Sequence, residues 1–152
     1  MNDKIKNENL IIRNTSAGQQ IFDCVRKKYV ALTPEELVRQ NIITYLANVK
    51  NYPVNLMRIE AGMKLNNMQK RCDILVYDRN RKPLLMVECK AENVKLSQDI
   101  FNQLSRYNLI FKVPYLVATN GEQTYCCKIN FEKQSYEFLN EIPAFDTVNG
   151  LY

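Results

Sequence analysis

The chain has 152 residues, 46% hydrophobic and 24% charged, with four Gly, five Pro and a formal net charge of +5. That is room for one globular domain around a single core, and it excludes collagen-like, low-complexity and disordered chains. Histidine is absent, which excludes Ser-His-Asp triads, Cys-His pairs and His-ligated metals and leaves acid–base work to carboxylates, Lys, Tyr, Cys or metal-bound water.

Residues 1–18 are polar and read as a flexible N-terminal arm, 19–145 as the single domain and 146–152 as a C-terminal tail. Gln20–Cys24 and Lys28–Leu32 form a short hairpin around Val25-Arg26-Lys27. Thr33-Pro34-Glu35-Glu36 is a helix start, with Thr33 as N-cap, Pro34 in the first turn and Glu36 closing a capping box. The helix runs to about Val49 with the stripe Val38, Ile42, Tyr45, Leu46 and Val49. Strands follow at Leu56–Lys64, Cys72–Tyr77 and Leu84–Lys90, with turns at Asn66-Asn67 and Arg79–Lys82. The last two are apolar on both faces, as in the middle of a covered sheet. A second helix, Leu96–Phe111, carries Leu96, Ile100, Leu104, Tyr107 and Phe111. Strands at Pro114–Thr119, Gln123–Ile129 and Ser135–Leu139 complete the pass, the first two joined at Asn120-Gly121. The expected architecture is α/β, with a mixed sheet flanked by helices.

No run of about 18 apolar residues could span a membrane. Residues 1–13 lack the apolar core of a secretory signal, so the expected compartment is the cytoplasm. The five cysteines, Cys24, Cys72, Cys89, Cys126 and Cys127, are odd in number and lack CxxC spacing, so they read as reduced thiols. Cys126 and Cys127 should point to opposite faces of one strand. The first 76 residues hold 12 Lys+Arg against 7 Asp+Glu, while the second half balances at 9 and 9. Such a bias suits a nucleic-acid partner without demanding one.

The pairing of the two central strands carries the chemistry. With the turn centred on Asn80-Arg81, facing residues have numbers summing to about 161, so Tyr77 faces Leu84 and Asp73 faces Glu88. Lys90, two residues beyond Glu88, projects on the same face. Two opposed carboxylates repel and raise a pKa unless a cation lies between them. Oxygen ligands with several waters suit Mg²⁺ or Mn²⁺, and the backbone carbonyl of Cys89 is a further oxygen. The plainer alternative is a set of solvated strand ends, with Asp73 paired to Lys70 or Arg71 and Lys90 to Glu92; a one-residue slip would also move a side chain to the other face.

Asp73 followed by Glu88-Cys89-Lys90 resembles the core of the PD-(D/E)xK nuclease superfamily. The wider set, Leu32 to Gln40, Lys70 to Tyr77, Val87 to Ala91, Gln103 to Tyr107 and Thr119-Asn120-Gly121, resembles the N-terminal nuclease domain of type I restriction enzyme R subunits, over roughly residues 21–143. The resemblance implies a restriction-endonuclease-like αβββαβ core and Mg²⁺-dependent (or Mn²⁺-dependent) endonucleolytic hydrolysis of DNA phosphodiesters. It implies Asp73 and Glu88 as metal ligands, Lys90 as the catalytic lysine, and a supporting acid from the first helix, Glu36 or, as the alternative, Glu35. Gln103 and Tyr107 resemble the QxxxY element beside such sites. Arg39, Gln40 and Arg106 are candidates to hold DNA phosphates or to orient the acids. No GxxxxGK[ST] loop occurs, so the expectation is a nuclease-like domain without an attached translocase. Expected partners are DNA and other restriction or defence proteins, with no membrane and with oligomeric state open. The rival is a non-catalytic DNA-binding or assembly module that keeps the fold.

Overall fold

The computed structural model describes residues 5, 9–65 and 68–150, with the side chains of all but 63–65, 68–70 and 107. Three short strands, β1 (Ile12–Thr15), β2 (Gly18–Asp23) and β3 (Lys28–Ala31), form an antiparallel sheet in the order 1-2-3. The expected hairpin is its β2–β3 pair. The arm expected over 1–18 is therefore corrected from Ile12 onward: Ile12 pairs with Ile21 and Thr15 with Gly18, so backbone hydrogen bonds order a segment whose side chains are mostly polar. The turn expected at Asn66-Asn67 lies outside the described residues.

Helix α1 (Pro34–Asn48) begins as its sequence predicts, with the Thr33 side chain accepting from the Glu36 N–H at 3.1 Å. The return half of the capping box does not form. The Thr33 N–H goes to the Ala31 carbonyl, and the Glu36 carboxylate turns to cations instead. Val49, expected in the apolar stripe, is 59% exposed because the helix ends one residue earlier.

A 3-10 turn (Val54–Leu56) leads into β4 (Met57–Leu65), β5 (Met68–Tyr77) and β6 (Pro83–Cys89); α2 (Gln98–Phe111) crosses to β7 (Tyr115–Thr119), and β8 (Thr124–Asn130) and β9 (Ser135–Leu139) follow. These six strands form one sheet in chain order, antiparallel throughout except for the parallel β6–β7 pair, which needs the helical crossover. The expected αβββαβ order and mixed sheet are present.

The sheet is covered on both faces. Val38, Ile42 and Leu46 of α1 pack with Ile74, Val87, Val117 and Cys126. Ile100 and Leu104 of α2 pack with Leu75, Met86, Leu116 and Cys127. Cys126 and Cys127 thus serve opposite cores, as expected. The tail expected over 146–152 is corrected at its start: α3 (Phe145–Val148) buries Phe145 and Val148, and the Phe145 ring meets Tyr52 edge-on at 5.4 Å. No helix among the described residues is long and apolar enough to cross a membrane.

Candidate active site

The β5–β6 register is the expected one through its central rungs: Ile74 opposes Val87, Leu75 opposes Met86 and Val76 opposes Leu85. Beyond Val76 an irregularity sets Tyr77 opposite Pro83 rather than Leu84. It arises in the turn, where the Asp78 carboxylate accepts from the N–H groups of Asn80 and Lys82 and Arg81 takes φ +64°.

At the other end, the next rung would oppose Asp73 and Glu88, but the ladder stops at Ile74–Val87. There the Cys89 N–H donates to Asp73 Oδ2 at 2.7 Å, so a carboxylate replaces a backbone acceptor and the two strands part. On the opposite side of β5 the ladder also skips a rung. Ile59 pairs with Ile74 and Ala61 with Cys72, and between them Glu60 adopts φ +52°. Asp73 therefore sits where the ladders on both sides of β5 are interrupted. The Lys90 N–H donates to the Thr119 carbonyl, and Lys90 Nζ lies 3.6 Å from Glu88 Oε1. The three residues expected to converge do so.

The electrostatics are those of a buried acid pair. Burial, and then the charge of Asp73, pushes Glu88 up to about 8, against the pull of Lys90. Burial raises Asp73 as well, opposed by the Cys89 N–H and by Arg39. Glu88 Oε2 is buried without a hydrogen-bond partner, while Lys90 keeps 28% of its side chain exposed. Each acid thus has one cation beside it, Arg39 for Asp73 and Lys90 for Glu88, while one Glu88 oxygen is left without a donor and the lysine side is partly exposed.

The two candidate acids of α1 do different things. Glu36 is buried; its Oε1 accepts from Arg26 and from Gln40, each at 2.9 Å, and its Oε2 lies 3.5 Å from Arg39. Glu35 is exposed, and its charge raises both Glu88 and the buried Cys89 thiol. Arg39 and Gln40 are 5% and 2% exposed, which removes them as phosphate contacts in this conformation. Arg39 instead faces acids: its NH2 bonds Asp73 Oδ1 at 3.2 Å, and its NH1 lies 3.6 Å from Glu60. Of the two expected uses of these residues, the geometry supports orienting the acids.

On α2, Gln103 is half-buried and Arg106 exposed. The Tyr107 side chain lies outside the described residues. Sequence reasoning missed Glu60, Arg26 and Asp23. Nothing in the sequence near Glu60 marks it, since its approach depends on an irregularity in β4. Asp23 is fully buried and pairs with Arg26, and the tight hairpin between them is the only available hint.

Among the described residues no group of three or more His, Cys, Asp or Glu side chains forms a ready-made metal cage. The donor set is a carboxylate pair with one unpartnered buried oxygen, which fits a hard divalent ion that keeps several waters.

A model of the type I restriction enzyme R protein N terminus matches residues 34–143, from the first residue of α1 to beyond β9. The chain belongs to this family. A solved fragment assigned as an HsdR subunit of a type I restriction enzyme from Vibrio vulnificus YJ016 has the same fold, with a TM-score of 0.56 and 21% identity. That likeness covers 78% of this chain and 25% of the solved one, so the R protein domain spans a quarter of that relative's length. No curated protein matches the chain. Asp73, Glu88 and Lys90 lie inside the family segment, whereas β1–β3, with Asp23 and Arg26, lie before it.

Proposed function

We propose that this R protein domain is a divalent-metal-dependent DNA endonuclease of the PD-(D/E)xK type, serving a restriction system in the cytoplasm. The observation that carries the reading is the opening of the sheet at Asp73. It sets the half-buried Asp73 beside the buried Glu88, with Lys90 3.6 Å from Glu88, and leaves Glu88 Oε2 without a hydrogen-bond partner. Like charges desolvated side by side cost stability, and a fold tolerates them where a cation is to be bound.

Asp73 and Glu88 would hold Mg²⁺ or Mn²⁺, with the Cys89 carbonyl as a further oxygen. When bound, such an ion lowers the pKa of water and offsets charge on the phosphate. The chain's own residues do the rest. Lys90, partly exposed, would neutralise charge on the phosphoryl oxygens as a water oxygen bonds to phosphorus, the bridging P–O bond breaks, and the water's proton ends on the departing oxygen. Glu35, exposed on the same side, adds negative potential and takes the role of supporting acid facing the site. Glu36 acts one layer behind it, through Arg39. Arg106 and the basic first half of the chain supply phosphate contacts, so binding should weaken with salt.

The test is cleavage of plasmid and linear DNA with Mg²⁺ or Mn²⁺. The wild type should cut, and Lys90→Ala and Glu88→Ala should each lose about 10²–10³-fold, the scale of removing one preorganised charge from a reacting centre. Equal cleavage by all three would place the activity elsewhere. Salt-sensitive binding with no cleavage under either metal would identify the assembly module instead.

A further inference from the structure

A chain of alternating charges runs from the small N-terminal sheet to the acid pair. Asp23, at the end of β2, pairs with Arg26 Nε. Arg26 NH2 donates to Glu36 Oε1 at 2.9 Å, Glu36 Oε2 lies 3.5 Å from Arg39 NH1, and Arg39 NH2 bonds Asp73 Oδ1 at 3.2 Å. Arg39 Nε and NH1 are buried without a hydrogen-bond partner. Its guanidinium is therefore held chiefly by the charges around it, and its position depends on where Glu36 is held. Glu36 in turn is fixed from two sides, by Gln40 on its own helix and by Arg26 on the hairpin.

We infer that Arg39 is a positioning residue for Asp73, and that Arg26, from outside the family segment, sets it through Glu36. The N-terminal sheet is then part of the working site. With Oδ1 of Asp73 on Arg39 and Oδ2 on the Cys89 N–H, the carboxylate plane is fixed before any ligand arrives. Arg26 reaches Asp23 through Nε and Glu36 through a terminal nitrogen, a fixed planar span that the compact ammonium of lysine does not reproduce. The consequence for turnover rests on the nuclease reading above; the consequence for geometry does not.

The experiment uses the full chain labelled with ¹⁵N. The amide of Cys89 touches Asp73 directly and Arg26 not at all, so its resonance reports the Asp73 carboxylate. Arg39→Lys and Arg26→Lys keep the charge and lose the fork. Both should move the Cys89 amide signal, while Arg79→Gln, on the far turn, should leave it in place. In the cleavage assay Arg26→Lys should lower kcat about 10-fold, within the 10–100-fold range typical of groups that orient metal ligands, with KM for DNA unchanged. A folded Arg26→Lys protein whose Cys89 amide stays put would overturn the inference. If Arg26→Lys fails to fold, Glu36→Gln, which keeps the Gln40 contact and removes the charge between the arginines, must produce the shift or the relay is wrong. A wild type that never cleaves would sink the nuclease reading alone, since the amide shift is read without turnover.

Discussion

Helices α1 and α2 cover opposite faces of one sheet, yet they obey different rules. The buried side of α2 is led by Ile100 and Leu104, and its buried polar residue, Asn108, closes the helix end by bonding both the N–H and the carbonyl of Val113. In α1 the buried set includes Glu36, Arg39, Gln40 and Asn41 beside Val38, Ile42 and Ile43. Burying four polar side chains in one helix opposes folding unless each is paired. The contrast shows where stability has been given up: α2 holds the sheet, while the first half of α1 holds the acids. On the proposed reading, local rules break where function is placed.

The contrast can be broken from either side. Arg39→Ala removes the cation facing Glu36, Glu60 and Asp73 and leaves the Asp73 carboxylate without its guanidinium. It should cost about 3–5 kcal/mol in urea unfolding and be partly recovered in acid, where the carboxylates take protons. Loss of under 1 kcal/mol would mean that Arg39 is not structurally coupled to these acids. On the other face, Leu104→Ala should cost about 2–5 kcal/mol through the cavity it leaves. It should not alter Mn²⁺ affinity per folded molecule, since α2 touches the core rather than the acid pair.

A pH scan sharpens the same point. Glu88 is raised to about 8 in the fold, from 4.5. Between those values the unfolded chain ionises this group and the folded one does not, so its contribution to stability falls as pH rises through that window and levels off above it. Asp73, also raised, acts in the same direction. Glu88→Gln should therefore flatten the loss of melting temperature between about pH 5 and 8 relative to wild type. A parallel decline in both proteins would contradict the buried-pair electrostatics. The smallest effect is at the start of α1, where Thr33→Ala should cost about 1 kcal/mol by removing the cap on the Glu36 N–H, with the slope of unfolding against urea unchanged.

Much of this was legible in the residues. Thr33-Pro34 marked α1, two-sided apolar runs marked β5 and β6 as central, and the hairpin sum of 161 held from Val76–Leu85 to Ile74–Val87, one rung short of Asp73 and Glu88. What the sequence hid depends on tertiary geometry. The opening of the ladder at Asp73 and the positive φ of Glu60 are irregularities that no periodicity encodes. Glu36 looked like a capping-box acid because spacing cannot show that Arg26, ten residues away in the β2–β3 turn, competes for it. Arg39 and Gln40 could be read from sequence as phosphate contacts or as orienters of the acids, because polar residues are mostly exposed and spacing does not show that the fold buries these two. β1 was missed because its ordering comes from backbone pairing, while its side chains read as loop.

The central claim is that Asp73 and Glu88 form one seat for a divalent ion. Calorimetric titration of the full chain with Mn²⁺ addresses it most directly. The wild type should take up the metal, while Asp73→Asn and Glu88→Gln, each folded by circular dichroism, should bind at least tenfold more weakly. Uptake that is equal in all three proteins, or undetectable in the wild type, would contradict it.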